Sequence, residues 1–286
     1  MSTAPVLHRE PSERADFTID QNWSRYSEEE HAIWRLLFER QHGILIGRAC
    51  DEFLAGLDGL GIAADGIPDF RRLSDVLMQT TGWQIVAVPG LVPDEIFFEH
   101  LANRRFPSTC FIRSRAQLDY LQEPDVFHDI YGHVPLLMNP VFADYMQAYG
   151  QGGLKASGQD ALRYLARLYW YTVEFGLIRT AAGLRIYGSG ILSSKGESIF
   201  CLADDSPNRI GFDLLRVMQT RYRIDDYQES YFVIDSFGQL FDATRPDFTP
   251  YYAALKQRPN FEPGDLLSED RLLHRGTGRY HAARRS

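Results

Sequence analysis

Cysteine is scarce: Cys50, Cys110 and Cys201 are the only three, widely spaced and without a CxxC pair. A disulfide framework is therefore not expected, and free thiols in a reducing compartment are. No run of about 18 apolar residues occurs, which leaves no candidate membrane span. The opening MSTAPVLHREPSERADF lacks the apolar stretch of an export signal, so the cytoplasm is the expected location. Positive charge is also short, with a formal net charge of −8 and a pI of about 5.5. Nucleic acid is not an expected partner, because phosphate binding needs clustered Lys and Arg. What the chain has in quantity is core material, 44% hydrophobic and 13% aromatic residues in 286. That suffices for a substantial core in one large domain or two small ones.

Residues 1–22 are polar and unpatterned and read as a flexible arm. Ser27-Glu-Glu-Glu30 is a capping box ahead of Ile33, Leu36, Leu37 and Phe38, so the first helix starts there. Helices are expected at 68–80 and 93–104, each opening on proline, with a short strand over 83–88 between them. Asn139-Pro140 predicts a helix to about Tyr149, followed by a glycine-containing turn. The clearest helical pattern runs from about Gln159 to Ala182, before Gly183. LRIYGSGILSS and YFVIDS read as short strands or loops, with a helix near 212–221. No repeat or linker divides residues 23–257, so one domain of packed helices with a few short strands, mainly α within the α+β class, is expected. Residues 258–286 are a C-terminal extension with a basic end, expected to be partly disordered.

Two histidines stand five apart among apolar residues in PDVFHDIYGHVP, residues 124–135. Imidazole suits Fe, Zn, Cu or Ni, but His128 and His133 read equally well as hydrogen-bonded core residues. On a regular helix five residues advance about 500°, leaving the rings some 140° apart. Convergence therefore needs a bend or a helix end, for which Gly132 and Pro135 are candidates. In LYWYTVEFGLI, residues 168–178, Glu174 is the only charged group. A buried carboxylate needs a metal, a cation or strong donors. Either Arg167, seven residues earlier on the same helix face, pairs with it, or Glu174 joins the histidines in a facial triad for a non-haem metal.

EPDVFHDIYGHVPL, YWYTVEFGL and YGSGILSSKGE, in this order and spacing, resemble the pterin-dependent aromatic amino acid hydroxylases. The similarity spans about residues 23–255 and is strongest to the short bacterial members that act on phenylalanine. The resemblance implies a catalytic domain over 23–257 built around Fe(II), with a tetrahydropterin as second cofactor. It further implies conversion of L-phenylalanine to L-tyrosine with O2, and a monomer. By it, His128, His133 and Glu174 are the iron ligands. Arg113 would receive the amino acid carboxylate and Asp125 would orient that guanidinium, although Asp125 also reads as a favourable acid at a helix start. Trp170 would wall the substrate ring, with Gly190 and Ser193 beside its backbone. Leu121 stands where animal relatives carry a threonine, so that hydroxyl contact does not transfer. Gly90, Leu91, Val92, Phe97, Asp129, Ala166 and Tyr169 would meet the pterin. From pattern alone Trp170 and Phe97 read as core aromatics.

Other readings remain open. Tryptophan or tyrosine could be the substrate within the same family, and two histidines with a glutamate also suit a zinc hydrolase. A non-catalytic pterin-binding protein would keep the same fold.

Overall fold

The computed structural model describes residues 12, 14–119, 121 and 123–285. Ser27 Oγ accepts from Glu30 N at 3.3 Å while Glu30 Oε2 accepts from Ser27 N at 2.7 Å, and helix α1 (Glu28–Leu45) starts from that box. Its Ile33, Trp34 and Leu37 turn into the core. Helix α2 (Asp51–Leu60) carried no recognised signal, because its N-cap, Cys50, makes no side-chain cap bond. Helix α3 (Phe70–Thr80) begins two residues later than its proline suggested, because Asp69 is the cap and accepts from Arg71 N at 3.0 Å. Strand β1 (Gln84–Val88), helix α4 (Asp94–Ala102) and strand β2 (Arg105–Thr109) form a parallel pair with a helical crossover, in register from Gln84↔Arg105 to Val88↔Thr109.

Two expected helix ends are wrong for physical reasons. Helix α5 (Pro140–Ser157) is capped by Asn139 as expected but runs through the glycines beyond Tyr149. A Cβ at Gly150 would lie 2.4 Å from Ala102 N, and one at Gly153 would lie 2.0 Å from the Phe98 ring. These glycines let α4 and α5 touch rather than make a turn. Conversely, the long pattern from Gln159 to Ala182 is not one helix. Helix α6 (Leu162–Tyr169) passes into a wide π-helical turn at Trp170–Glu174, and strand β3 (Leu177–Thr180) follows. Leu177 and Ile178 pair with Val233 and Ile234, a contact far along the chain that overrides local periodicity.

The remaining elements are β4 (Gly183–Ile186), α7 (Ser189–Leu192), α8 (Lys195–Ala203), β5 (Asn208–Gly211), α9 (Leu214–Gln219) and β6 (Ser230–Ile234). They are followed by α10 (Phe237–Thr244), α11 (Thr249–Lys256), β7 (Leu272–His274) and α12 (Arg279–Arg285). The larger sheet has the order β4-β3-β6-β5-β7. Helices carry most of the ordered chain and both sheets are small, the mainly α form of the α+β class. No described helix is long and apolar enough to cross a membrane.

Both termini depart from expectation where they are described. Most of the expected N-terminal arm lies outside the described residues, but Ile19 bridges Ala87, and Gln21 bonds Pro68 O and Phe70 N at 2.8 Å each. The C-terminal extension, expected to be partly disordered, adds β7 to the edge of the sheet against β5. Its Asp270 forms a buried ion pair with Arg216 at 2.9 Å. Composition near a terminus did not reveal these long-range anchors.

Candidate active site

The first histidine segment is a π-helical turn, His128–His133, continuing into a 3-10 turn at Val134–Met138. The wider turn rotates each residue less than an α-helix does, so positions five apart come toward one side. This is the bend the spacing required. Gly132 takes no left-handed conformation. Its part is clearance, since a Cβ there would sit 2.9 Å from Ser189 O. Phe127 and Tyr131, stacked at 4.8 Å, anchor the turn in the core. Glu174 comes from the second wide turn, at Trp170–Glu174.

The two segments bring the three expected ligands together. His133 Nε2 is 3.2 Å from Glu174 Oε1, His128 Nε2 is 3.7 Å from Oε2, and the two Nε2 atoms are 3.1 Å apart. All three donor atoms lie within 4.8 Å of one another. Arg167 is not the partner of Glu174, because its guanidinium donates to Met218 O at 3.0 Å and Asn260 Oδ1 at 2.6 Å. Burial would push the Glu174 carboxyl up, but His133, His128 and the Ser189 hydroxyl outweigh it and hold it at about 2. Burial pulls His128 down to about 4, against the attraction of Glu174. A neutral imidazole beside a carboxylate is the form that binds a divalent metal.

Ser193 fixes the tautomer. Its hydroxyl donates to Ser189 O at 2.8 Å, so toward His128 Nδ1, also at 2.8 Å, it can only accept. The proton therefore sits on Nδ1, and the Nε2 lone pair faces the centre. The donor set, with His128 neutral and its Nε2 turned inward, fits a metal ion bound on one face.

The centre opens into a cavity of about 580 Å³ whose walls include Arg113, His128, Trp170, Glu174, Gly190 and Ser193. Arg113 donates to the fully buried Asp125 through Nε at 2.9 Å and Nη2 at 2.8 Å. Asp125 also accepts from His128 N at 3.1 Å, so both readings of this acid hold together. Trp170 stacks on Tyr222 at 4.5 Å and donates to Gln228 Oε1 at 2.9 Å. A Cβ at Gly190 would lie 3.1 Å from Glu174 Oε2, so the glycine leaves that carboxylate uncovered. Leu121 also lines the wall.

None of the seven residues expected to meet a pterin lines this cavity. Several gather around His133 instead: Tyr169 stacks on it at 6.3 Å, and Phe97 packs edge-on to Tyr169 at 5.8 Å. Asp129 accepts from Thr109 N and Oγ1 at 2.7 and 2.9 Å, and burial pushes its carboxyl up to about 7. Leu91 is 78% exposed, Gly90 and Val92 flank it in the loop after β1, and Ala166 is half-buried on α6. Phe97, read from pattern as a core aromatic, is half-buried and packs against the core that holds its neighbours Phe98 and Leu101. Phe97 and Tyr169 beside His133 present aromatic surface of the kind that a flat heteroaromatic ring can stack on.

The model of the family described as biopterin-dependent aromatic amino acid hydroxylase matches residues 19–259. The chain belongs to that family. A phenylalanine-4-hydroxylase of Ralstonia nicotianae is 67% identical over 264 residues, covering 92% of this chain and 84% of that protein. The one from Chromobacterium violaceum is 64% identical, covering 91% and 88%. The crystal structure of the Chromobacterium violaceum hydroxylase with iron and phenylalanine bound superposes with a TM-score of 0.88 at 61% identity, covering 92% of this chain and 96% of that one. Membership makes the chain a pterin-dependent enzyme. Sequence reasoning within the family motifs did not single out Ser189, Thr109, Gln228 or Glu197. Ser189 and Glu197 stand inside YGSGILSSKGE, whereas nothing local marks Gln228.

Proposed function

We propose that this hydroxylase converts L-phenylalanine to L-tyrosine with O2, using Fe(II) and a tetrahydropterin. The observation that carries the reading is the His128, His133 and Glu174 donor set facing a cavity that also holds a locked guanidinium and an indole wall. Fe(II) and the tetrahydropterin supply the oxygen chemistry, one O2 atom going to the ring and the other leaving with the two-electron-oxidised pterin. Arg113, with Nε and one Nη2 proton engaged by Asp125 and Nη1 at 3.5 Å from Leu118 O, keeps its second Nη2 proton and one Nη1 proton to receive the substrate carboxylate. Trp170 bounds the aromatic ring and directs it toward the ligand face. Ser193 keeps the His128 proton on Nδ1, so His128 acts as ligand and not as acid. Phe97 and Tyr169 offer the pterin an aromatic surface beside His133, and Asp129 a carboxyl edge. The iron-bound relatives and the complete donor set favour this chemistry over a zinc hydrolase or a binding protein. We place the enzyme in the cytoplasm, in keeping with three buried free cysteines, and as a monomer, as the resemblance to the short bacterial members implies.

The test is to load the purified protein anaerobically with Fe(II), add phenylalanine and tetrahydropterin, admit oxygen and assay tyrosine. Tryptophan, tyrosine and no-pterin samples run in parallel. Pterin-dependent tyrosine formation is expected, with Glu174→Ala folded, iron-poor and inactive. Full iron loading without hydroxylated product would overturn the reading, and so would ordinary turnover by Glu174→Ala.

A further inference from the structure

Helix α12 lies outside the matched family domain, which ends at residue 259, yet Tyr280 and Arg284 line the cavity that contains Arg113, Trp170 and the candidate ligands. They reach it through Asp226. Tyr280 Oη donates to Asp226 Oδ1 at 3.0 Å, and Arg284 Nε pairs with Oδ2 at 3.0 Å. The Arg284 guanidinium covers the Tyr280 ring at 5.2 Å, and that ring stacks on Tyr227 at 5.4 Å. The helix is itself fixed, since Tyr280 N donates to Ser206 Oγ at 3.0 Å and the His281 side chain is buried.

Asp226 belongs to the segment 222–228, which holds Trp170 at both of its ends. Tyr222 stacks on the indole, and Gln228 accepts the indole N–H. The segment is folded on itself by Gln228 Nε2, which donates to Arg223 O at 3.2 Å and Asp226 O at 3.4 Å. Gln228 N in turn donates to Glu197 Oε1 at 3.1 Å, which ties the far end to α8. The Asp226 carboxylate is anchored to α12, beside Tyr227, which also packs on Phe200 of α8 at 4.8 Å.

We propose that Tyr280 and Arg284 are positioning residues for the amino acid substrate: through Asp226 they hold the 222–228 segment so that Trp170 keeps its place as the pocket wall. The inference rests on the reading of this cavity as the aromatic amino acid site. Tyr280 and Arg284 make their contacts with Asp226, Tyr227, Phe200 and Ser206, on the Trp170 side of the site, so the effect is expected on the amino acid and not on the pterin. His128 and His133 lie on a separate turn, and Glu174, which shares the Trp170–Glu174 turn with the indole, is tied at its own end by His133 and Ser189.

The experiment compares the parent with Tyr280→Phe/Arg284→Gln, using Arg279→Ala, an exposed residue of the same helix, as control. The double variant should bind phenylalanine roughly five-fold more weakly by calorimetry on the iron-loaded protein, with KM for phenylalanine rising by the same factor. Its kcat, pterin KM and iron stoichiometry should match the parent, and Arg284→Lys should recover most of the loss. Unchanged phenylalanine affinity would overturn the proposal, as would equal weakening of pterin and phenylalanine. If the double variant does not fold, Tyr280→Phe, which removes one oxygen, carries the same comparison. A parent enzyme that binds no phenylalanine overturns the reading of the cavity as well, whereas a normal parent with an unaffected variant overturns the α12 proposal alone.

Discussion

The Ser193 hydroxyl sits between His128 Nδ1 and Ser189 O, 2.8 Å from each, and replacing it leaves the imidazole free to turn or to take the other tautomer. Ser193→Ala should lose roughly 10- to 100-fold in iron affinity or activity, the usual effect of removing such a partner, and iron titration of the folded variant checks it. Glu197 poses a different question. Burial raises its carboxyl from the ordinary 4.5 to about 7, although the Tyr231 hydroxyl and Gln228 N pull the other way. The unfolded chain sheds this proton near 4.5 while the folded protein keeps it to about 7, so stability falls as pH rises through that window. The loss amounts to about 3 kcal/mol above pH 7. Glu197→Gln retains an oxygen for both donors and should be more stable than the parent at pH 8 but not at pH 4. Denaturant unfolding at the two pH values decides this, and an equal difference at both would contradict it. At this scale His128, His133 and Glu174 stood out because a charged or imidazole group in an apolar run needs a partner, and the family resemblance joined them as one candidate ligand set. Ser189 and Gln228 did not, because an uncharged polar side chain outside an apolar run gives no such signal.

Both ligand-bearing segments are π-helical turns, and each is locked by a close backbone approach. At Gly188 the backbone has φ −69° and ψ 129°, which alanine adopts freely, so space alone is at issue there. A Cβ would meet Glu174 O at 2.4 Å and Gly176 N at 2.5 Å. Gly188→Ala should therefore cost about 1–3 kcal/mol and displace Glu174, lowering both the unfolding temperature and the iron stoichiometry. Full iron binding in that variant would show that the approach does not set the Glu174 position. The capping box of α1 and the Asn139 cap of α5 were readable because cap and first turn are neighbours in sequence. The end of α6 was not, because the residues that stop it, Val233 and Ile234, lie more than fifty positions away.

Across the molecule, the C-terminal extension ties its own strand, a buried ion pair and a cavity wall to the body of the domain. Arg216 and Asp270 have side chains only 6% and 3% exposed, so removing one partner strands a buried charge. Asp270→Ala should cost about 3–5 kcal/mol, read as a lower urea midpoint with unchanged slope. A midpoint within error of the parent would mean that Arg216 is satisfied by Thr220 and Asp265 O without it. The order and spacing of the three motifs, the cap signals and the lone Glu174 are local features, so the amino-acid sequence by itself determined the family, the chemistry and the candidate ligands. The separation of the cavity holding Arg113 and Trp170 from the Tyr169 and Phe97 face of His133, the serine at His128 Nδ1, and the return of α12 to the cavity were decided only by tertiary structure. Each depends on which distant segments bury against one another, and burial energy depends on area and fit and not on separation along the chain.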